Sequence, residues 1–194
     1  MALVLGIPLT LTAEPGRARA AAIVFSSCLV ICFGASALYH RPTWKPKVRA
    51  WLARLDHAGV YFLIAGTYTP FALLVLSPAW AIPVLVIVWA GALAATVLKL
   101  AWVRSPKWLS ATIAVALGWV GVVAFSQLLK LPLWGLLLVV AGGVLYTAGA
   151  IVYARRRPDL RPHAFGYHEL FHTLTLAAAG CQYTAIAFVV LPRG

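Results

Sequence analysis

Residues 57–98 read HAGVYFLIAGTYTPFALLVLSPAWAIPVLVIVWAGALAATVL, 42 positions without one Asp, Glu, Lys or Arg. A helix rises about 1.5 Å per residue and the hydrocarbon of a bilayer is about 30 Å thick, so one crossing takes about 20 apolar residues. The stretch is therefore two crossings long. Ser77-Pro78 divides it, because proline disfavours helix continuation and marks a turn. Two antiparallel spans over 57–76 and 79–98 follow.

The same measure applies on either side. Charge-free runs of 21, 22, 24 and 23 residues occupy 20–40, 108–129, 131–154 and 170–192. Each is one span, and the last helix is expected over about 166–191. Residues 2–12 are apolar but long enough for only about half a crossing. They read as the C-terminal half of a seventh helix, shortened by a misassigned start or by truncation. A cleaved signal peptide fits poorly, since no Lys or Arg precedes the apolar run. The expectation is an all-α integral membrane protein, a seven-helix transmembrane bundle in one domain over 1–194 with a short first helix.

Composition agrees. Of 194 residues, 63% are hydrophobic and 10% charged, far from the roughly 25% charge of soluble domains. Lys and Arg number 16 against four Asp and Glu, a net charge of +12. Such basicity suggests nucleic acid in a soluble chain, but here the cations sit in short clusters between apolar runs, so no nucleic-acid partner is expected. Arg41, Lys45, Lys47, Arg49 and Arg54 follow the second helix; Lys99, Arg104 and Lys107 follow the fourth; Arg155, Arg156, Arg157 and Arg161 precede the last. Only Arg17, Arg19, Lys130 and Arg193 fall on the other side. The positive-inside rule then puts the three basic loops and the N-terminus in the cytoplasm and the C-terminus outside. Trp44, Trp51, Trp80, Trp102, Trp108 and Trp134 lie near span ends, as interfacial anchors do. Cys28, Cys32 and Cys181 lie within spans and imply no disulfide. Gly66-Thr67-Tyr68-Thr69-Pro70 reads as a helix kink with close helix contact, and Gly142-Gly143 as a packing notch.

In so apolar a chain, an ionisable residue at the edge of a span is a functional candidate, since burying it is costly unless it is paired or metal-bound. The topology brings all five histidines to one side: His40 closes a span, His57 opens the next beside Asp56, and His163, His168 and His172 lie at the start of the last. His168 and His172 are four apart, so both rings share one helix face and can reach one ion. His40 can complete a three-histidine site. Three nitrogen ligands and an open fourth position describe a catalytic zinc centre, and three imidazoles favour Zn²⁺ over magnesium or calcium. Asp56 is the carboxylate placed to orient a water or take its proton, and Ser36 stands one turn from His40 on the same face. His57 and His163 read as polar interface residues. Glu169 reads either as a residue beside the metal ligands or as the ion-pair partner of a loop arginine.

His168-Glu169-Leu170-Phe171-His172 also satisfies the His-Glu-x-x-His pattern of zinc proteases. An intramembrane protease would call for a further Asp in a later span, and no acidic residue follows Glu169.

Three segments together carry a family resemblance: Ser36-Ala37-Leu38-Tyr39-His40; Leu55-Asp56-His57 running on to Ile64-Ala65-Gly66-Thr67-Tyr68-Thr69-Pro70-Phe71; and His168-Glu169-Leu170-Phe171-His172. With the span pattern from about residue 20 onward, they resemble the hemolysin III family. This is the bacterial branch of the progestin and adipoQ receptor group, which includes the adiponectin receptors and belongs with the alkaline ceramidases. The resemblance implies seven helices with the N-terminus inside, a place in the bacterial plasma membrane, and zinc held by His40, His168 and His172. It also implies Asp56 against the zinc-bound water with Ser36 nearby. The adiponectin receptors carry Gln where Glu169 stands, so the resemblance assigns Glu169 no role.

The expected function is a zinc-dependent hydrolase acting on an amide or ester bond of a membrane lipid, its substrate and partner. A cytolytic, pore-forming or membrane-homeostasis protein with structural or sensory zinc is the alternative. A preformed pore would show polar residues along the full depth of several helices, and a metal transporter would need ionisable groups in the far half of the membrane. This chain has its polar groups chiefly at one end.

Overall fold

The computed structural model describes residues 2–41, 43–102, 105–160 and 165–194. Arg104, Arg161 and His163 lie outside the described residues. The order is α1 (Ala2–Thr12), α2 (Arg17–His40), α3 (Pro46–Leu74), α4 (Pro78–Ala101), α5 (Lys107–Gly118), α6 (Phe125–Leu128), α7 (Leu133–Arg155) and α8 (Tyr167–Ala185). A 3₁₀ turn, Val120–Ala124, joins α5 to α6, and α8 runs on through a π-helical stretch, Ile186–Val190. Five segments are long and apolar enough to cross a membrane: Arg17–His40, Pro78–Ala101, Lys107–Leu128, Leu133–Arg155 and Tyr167–Arg193. Their outer faces expose Ile82, Val86, Val97, Leu133, Leu137 and Phe188, side chains that suit lipid rather than water.

The helix over the expected 57–76 span differs from its reading. It begins at Pro46, so the segment carrying Lys47, Arg49 and Arg54 is helix rather than loop. Pro46 opens it at a position where a missing N–H costs nothing. Val48, Trp51, Leu52 and Leu55 then recur at helical spacing. Its polar Thr67-Tyr68-Thr69-Pro70 stretch keeps it out of the five most apolar segments, and it lies packed between α2 and α4.

The expected 108–129 span also differs, because its helix breaks after Gly118. Tyr68 of α3 bridges the break: its hydroxyl donates to Gly118 O at 2.6 Å and accepts from Gly121 N at 2.8 Å. One phenol thus serves backbone groups that would otherwise face hydrocarbon unpaired. In α3 itself, Thr67 and Thr69 donate to the carbonyls of Leu63 and Ala65, at 2.7 and 3.0 Å.

α2 lies tightly on α3 because two glycines face two cysteines. A Cβ at Gly59 would stand 2.9 Å from Cys32 Cα, and one at Gly66 would stand 2.5 Å from Cys28 Cβ. Small residues of this kind let backbones approach in lipid, where apolar burial itself gives little drive between helices. All three cysteines are free. α1, though short, is seated in the bundle: Ser26 donates to Gly6 O at 3.2 Å and Tyr183 to Leu5 O at 3.0 Å. Gly142 meets Gln182, whose amide donates to Val139 O at 3.1 Å, so half of the expected Gly142-Gly143 notch packs α7 on α8, while Gly143 faces open space.

The described basic residues of the three loops gather at one end. Arg54 Nε donates to Leu100 O at 3.0 Å, and Lys107 Nζ to Tyr167 Oη at 2.8 Å. At the other end Arg193 donates to Lys130 O at 2.9 Å.

Candidate metal centre

His40 is the last residue of α2, and the close α2–α3 packing sets it beside Asp56. Its Nε2 lies 3.7 Å from Asp56 Oδ2. Ser36 stands one turn back on α2, on the face that carries His40. His168 and His172 project from the first turns of α8, their Nε2 atoms 3.1 Å apart. The His40 ring centroid lies 5.1 Å from that of His168 and 5.0 Å from that of His172. One ligand nitrogen from each of the three falls within 4.8 Å of the others. His168 and His172 are half-buried, while His40 is 35% exposed, so the group is reached from one side.

Glu169 is not one of the three converging side chains. It is exposed, and its Oε2 accepts the Gly166 N–H at 2.9 Å at the start of α8, the half of a capping box that a glycine N-cap, lacking a side chain, allows. It forms no ion pair among the described residues; the helix terminus is its hydrogen-bond partner. Asp159 Oδ1 accepts the Tyr167 N–H at 2.9 Å and fixes the same turn. His57, read as an interface residue, is turned inward: its Nε2 faces Tyr153 Oη at 3.4 Å, and its Nδ1 is buried without a partner among the described residues.

Aromatic residues that the sequence reading passed over enclose the histidines. Phe171 packs on His172 and His168, with ring centroids 5.3 and 6.2 Å apart. Tyr153 stacks on Phe171 at 5.0 Å, and Tyr167 lies 6.2 Å from His168. Tyr153 ends a span at the histidine level, and that placement was the signal available. Phe171 also walls a cavity of about 370 Å³ lined by residues of α3 to α8. Its lining is almost wholly apolar, with Thr67, Thr175, Gln182 and Tyr68 among the few polar side chains. Thr175 lies one turn beyond His172, so the cavity begins within a turn of that histidine.

A family model described as Haemolysin-III related matches residues 1–183. The chain belongs to that family. Hemolysin-3 of Bacillus cereus is 33% identical over 148 residues, 76% of this chain and 65% of the relative, so just under two thirds of that relative's length is spanned. The Hemolysin-3 homolog of Bacillus subtilis is 31% identical, covering 85% of this chain and 75% of its own. Heptahelical transmembrane protein ADIPOR2 of Oryza sativa is 32% identical over 84% of this chain and 79% of its own. No solved structure matches. This haemolysin-III related chain is an integral membrane protein, and with its Bacillus relatives and five apolar spans it belongs to the bacterial plasma membrane.

Proposed function

We propose that this haemolysin-III related protein is a zinc-dependent hydrolase that cleaves an amide or ester bond of a membrane lipid. The observation that carries the proposal is the convergence of three imidazoles from two helices, their ligand atoms within 4.8 Å, beside a single carboxylate. A tetrahedral ion with nitrogen bonds of about 2.0–2.1 Å wants its ligand atoms about 3.3 Å apart, close to the 3.1 Å between His168 and His172. The donor set is all neutral nitrogen, which suits zinc over the hard cations. His40, His168 and His172 would hold the ion and leave a fourth position. Zinc bound there supplies Lewis acidity, acidifying a water and polarising a carbonyl.

The other tasks fall to the chain's own groups. Asp56 Oδ2 accepts a proton from the attacking water and returns it to the departing amine or alkoxide. Ser36 steers that carboxylate. The cavity behind Phe171 takes an acyl chain, its volume lying within the usual range of ligand pockets. The positive-inside rule, applied to the basic loops, supports a cytoplasmic site for this end, and a centre there would lie level with the bonds between headgroup and acyl chain. Turnover of a fluorescent lipid panel by wild type and His172→Ala tests the proposal. Turnover by wild type alone is expected; equal, negligible turnover by both would sink it.

Membrane lysis is the second reading, favoured by the name of the B. cereus relative, Hemolysin-3. An apolar cavity gives it little support as a preformed aqueous path. Liposome leakage that persists after all three histidines are removed would move it to first place.

A further inference from the structure

Beside the histidines lies a second polar group that the hydrolytic scheme does not use. Lys99, in the last turn of α4, is 3% exposed, and its Nζ donates to Ser105 Oγ at 2.6 Å. Lys107 opens α5. Its Nζ donates to Tyr167 Oη at 2.8 Å and lies 4.7 Å from the ring centroids of both Tyr153 and Tyr167. All four acidic residues of the chain are described, and neither lysine has a carboxylate within 4 Å. Lys107 lies over the ring of Tyr153, and His57 Nε2 faces the hydroxyl of the same tyrosine at 3.4 Å. Among the described residues, His57 Nδ1 is buried without a hydrogen-bond partner, as are Ser110 Oγ, one turn along α5 from Lys107, and Thr96 Oγ1, one turn before Lys99.

Two ammonium groups and a set of unpartnered polar atoms thus gather in one region at the membrane edge, with no carboxylate within 4 Å of either lysine. A sunken ammonium of this kind is costly unless an opposite charge meets it. Topology calls for cations at this end but not for one withdrawn from solvent, since a long lysine stem can snorkel to water. Tyr153 and Tyr167 join this region to the metal centre, each with its ring centroid within 6.4 Å of the His168 ring.

We propose that Lys99 and Lys107, with Ser110 and the Nδ1 edge of His57, form a binding site for the phosphate of a phospholipid headgroup. Phosphate is the fitting anion: lysine meets it as a point charge, and the serine hydroxyl and imidazole add hydrogen bonds. That a lipid bears the phosphate rests on the hydrolase proposal. The scissile carbonyl would meet the histidines, the acyl chain would fill the cavity behind Phe171, and the phosphate would meet the lysines. The substrate class narrows to glycerophospholipids or phosphorylated sphingolipids.

The test uses full-length protein purified in dodecyl maltoside, which has no phosphate. Binding of dioctanoyl phosphatidic acid, of dioctanoylglycerol (the same lipid without phosphate) and of inorganic phosphate is titrated by thermal unfolding. Wild type is expected to prefer the phosphatidic acid by at least about tenfold, as a charge-assisted contact allows. Lys99→Gln and Lys107→Gln are expected to erase the preference. Equal affinity of wild type for the two lipids overturns the proposal, and that comparison needs no variant to fold. A preference that survives both substitutions overturns it too. Inorganic phosphate binding as tightly as the lipid would overturn the headgroup assignment and leave a soluble-anion site. Zinc content and hydrolysis on the same preparations keep the two proposals distinct. A zinc-loaded, active chain without phosphate preference fails only this one; a phosphate-selective chain without zinc fails only the other.

Discussion

Asp56 and His40 stand 3.7 Å apart while His168 and His172 nearly touch. The proposed hydrolase turns this into a division of labour, with the three histidines holding the ion and Asp56 beside them. The division has measurable consequences. Replacing His168 and His172 together by Ala is expected to lower zinc from about one ion per chain to none, read by mass spectrometry on folded protein. Asp56→Asn is expected to keep the ion but slow lipid hydrolysis by about 10²–10⁴-fold, the usual span for losing a general base. Loss of zinc in that variant would make Asp56 a ligand instead. Glu169→Ala removes the carboxylate that caps α8. The expected result is a destabilisation of about 0.5–2 kcal/mol with zinc content unchanged, seen by thermal unfolding and metal analysis on one sample.

At the scale of the element, the break after Gly118 shows how two helices share one task. Tyr68 supplies both a donor and an acceptor there. Tyr68→Phe fills the same space but leaves Gly118 O and Gly121 N without that partner. A loss of about 1–3 kcal/mol is expected from unfolding in detergent, larger than for Thr184→Ala, an exposed hydroxyl bonded only within its own helix. The elements also mark what the sequence could reveal. Charge-free length locates helices well, because hydrocarbon thickness is a hard constraint, and the ends of α2, α4 and α7 fall within three residues of their readings. It says nothing of a helix continuing into water, which is why residues 46–56 of α3 read as loop. Nor could it show the break in α5, since Gly118 and Gly121 become a turn only because a phenol from α3 is there to serve them.

Over the whole molecule, the histidine convergence was legible for a simple reason: no crossing lies between His40 and the start of the following span, and four, an even number, lie between His57 and His168, so the chain returns to the same face. The lining around it was not, because Tyr153, Phe171 and Lys107 are ordinary residues for a membrane helix or its edge, and only packing gives them a common centre. The cavity belongs to this scale too, being made by six helices at once. Gly143 lies on its wall with open space where a side chain would go. Gly143→Leu is expected to leave stability and zinc unchanged while reducing turnover of long-chain lipids more than that of short-chain analogues. Equal reduction for both lengths would show that the acyl chain lies elsewhere.

The described histidines and Asp56 sit at one end of the bundle, and the opposite end offers Lys130 and Arg193 but, among the described residues, no histidine. Such a molecule is one-handed with respect to the bilayer. Acting as the proposed hydrolase, it would meet the lipids of one leaflet only, and those of the other would reach it no faster than they flip. Its steady output would then be governed by transbilayer traffic as much as by its own chemistry, and the products would accumulate on one side, changing the relative areas of the two leaflets.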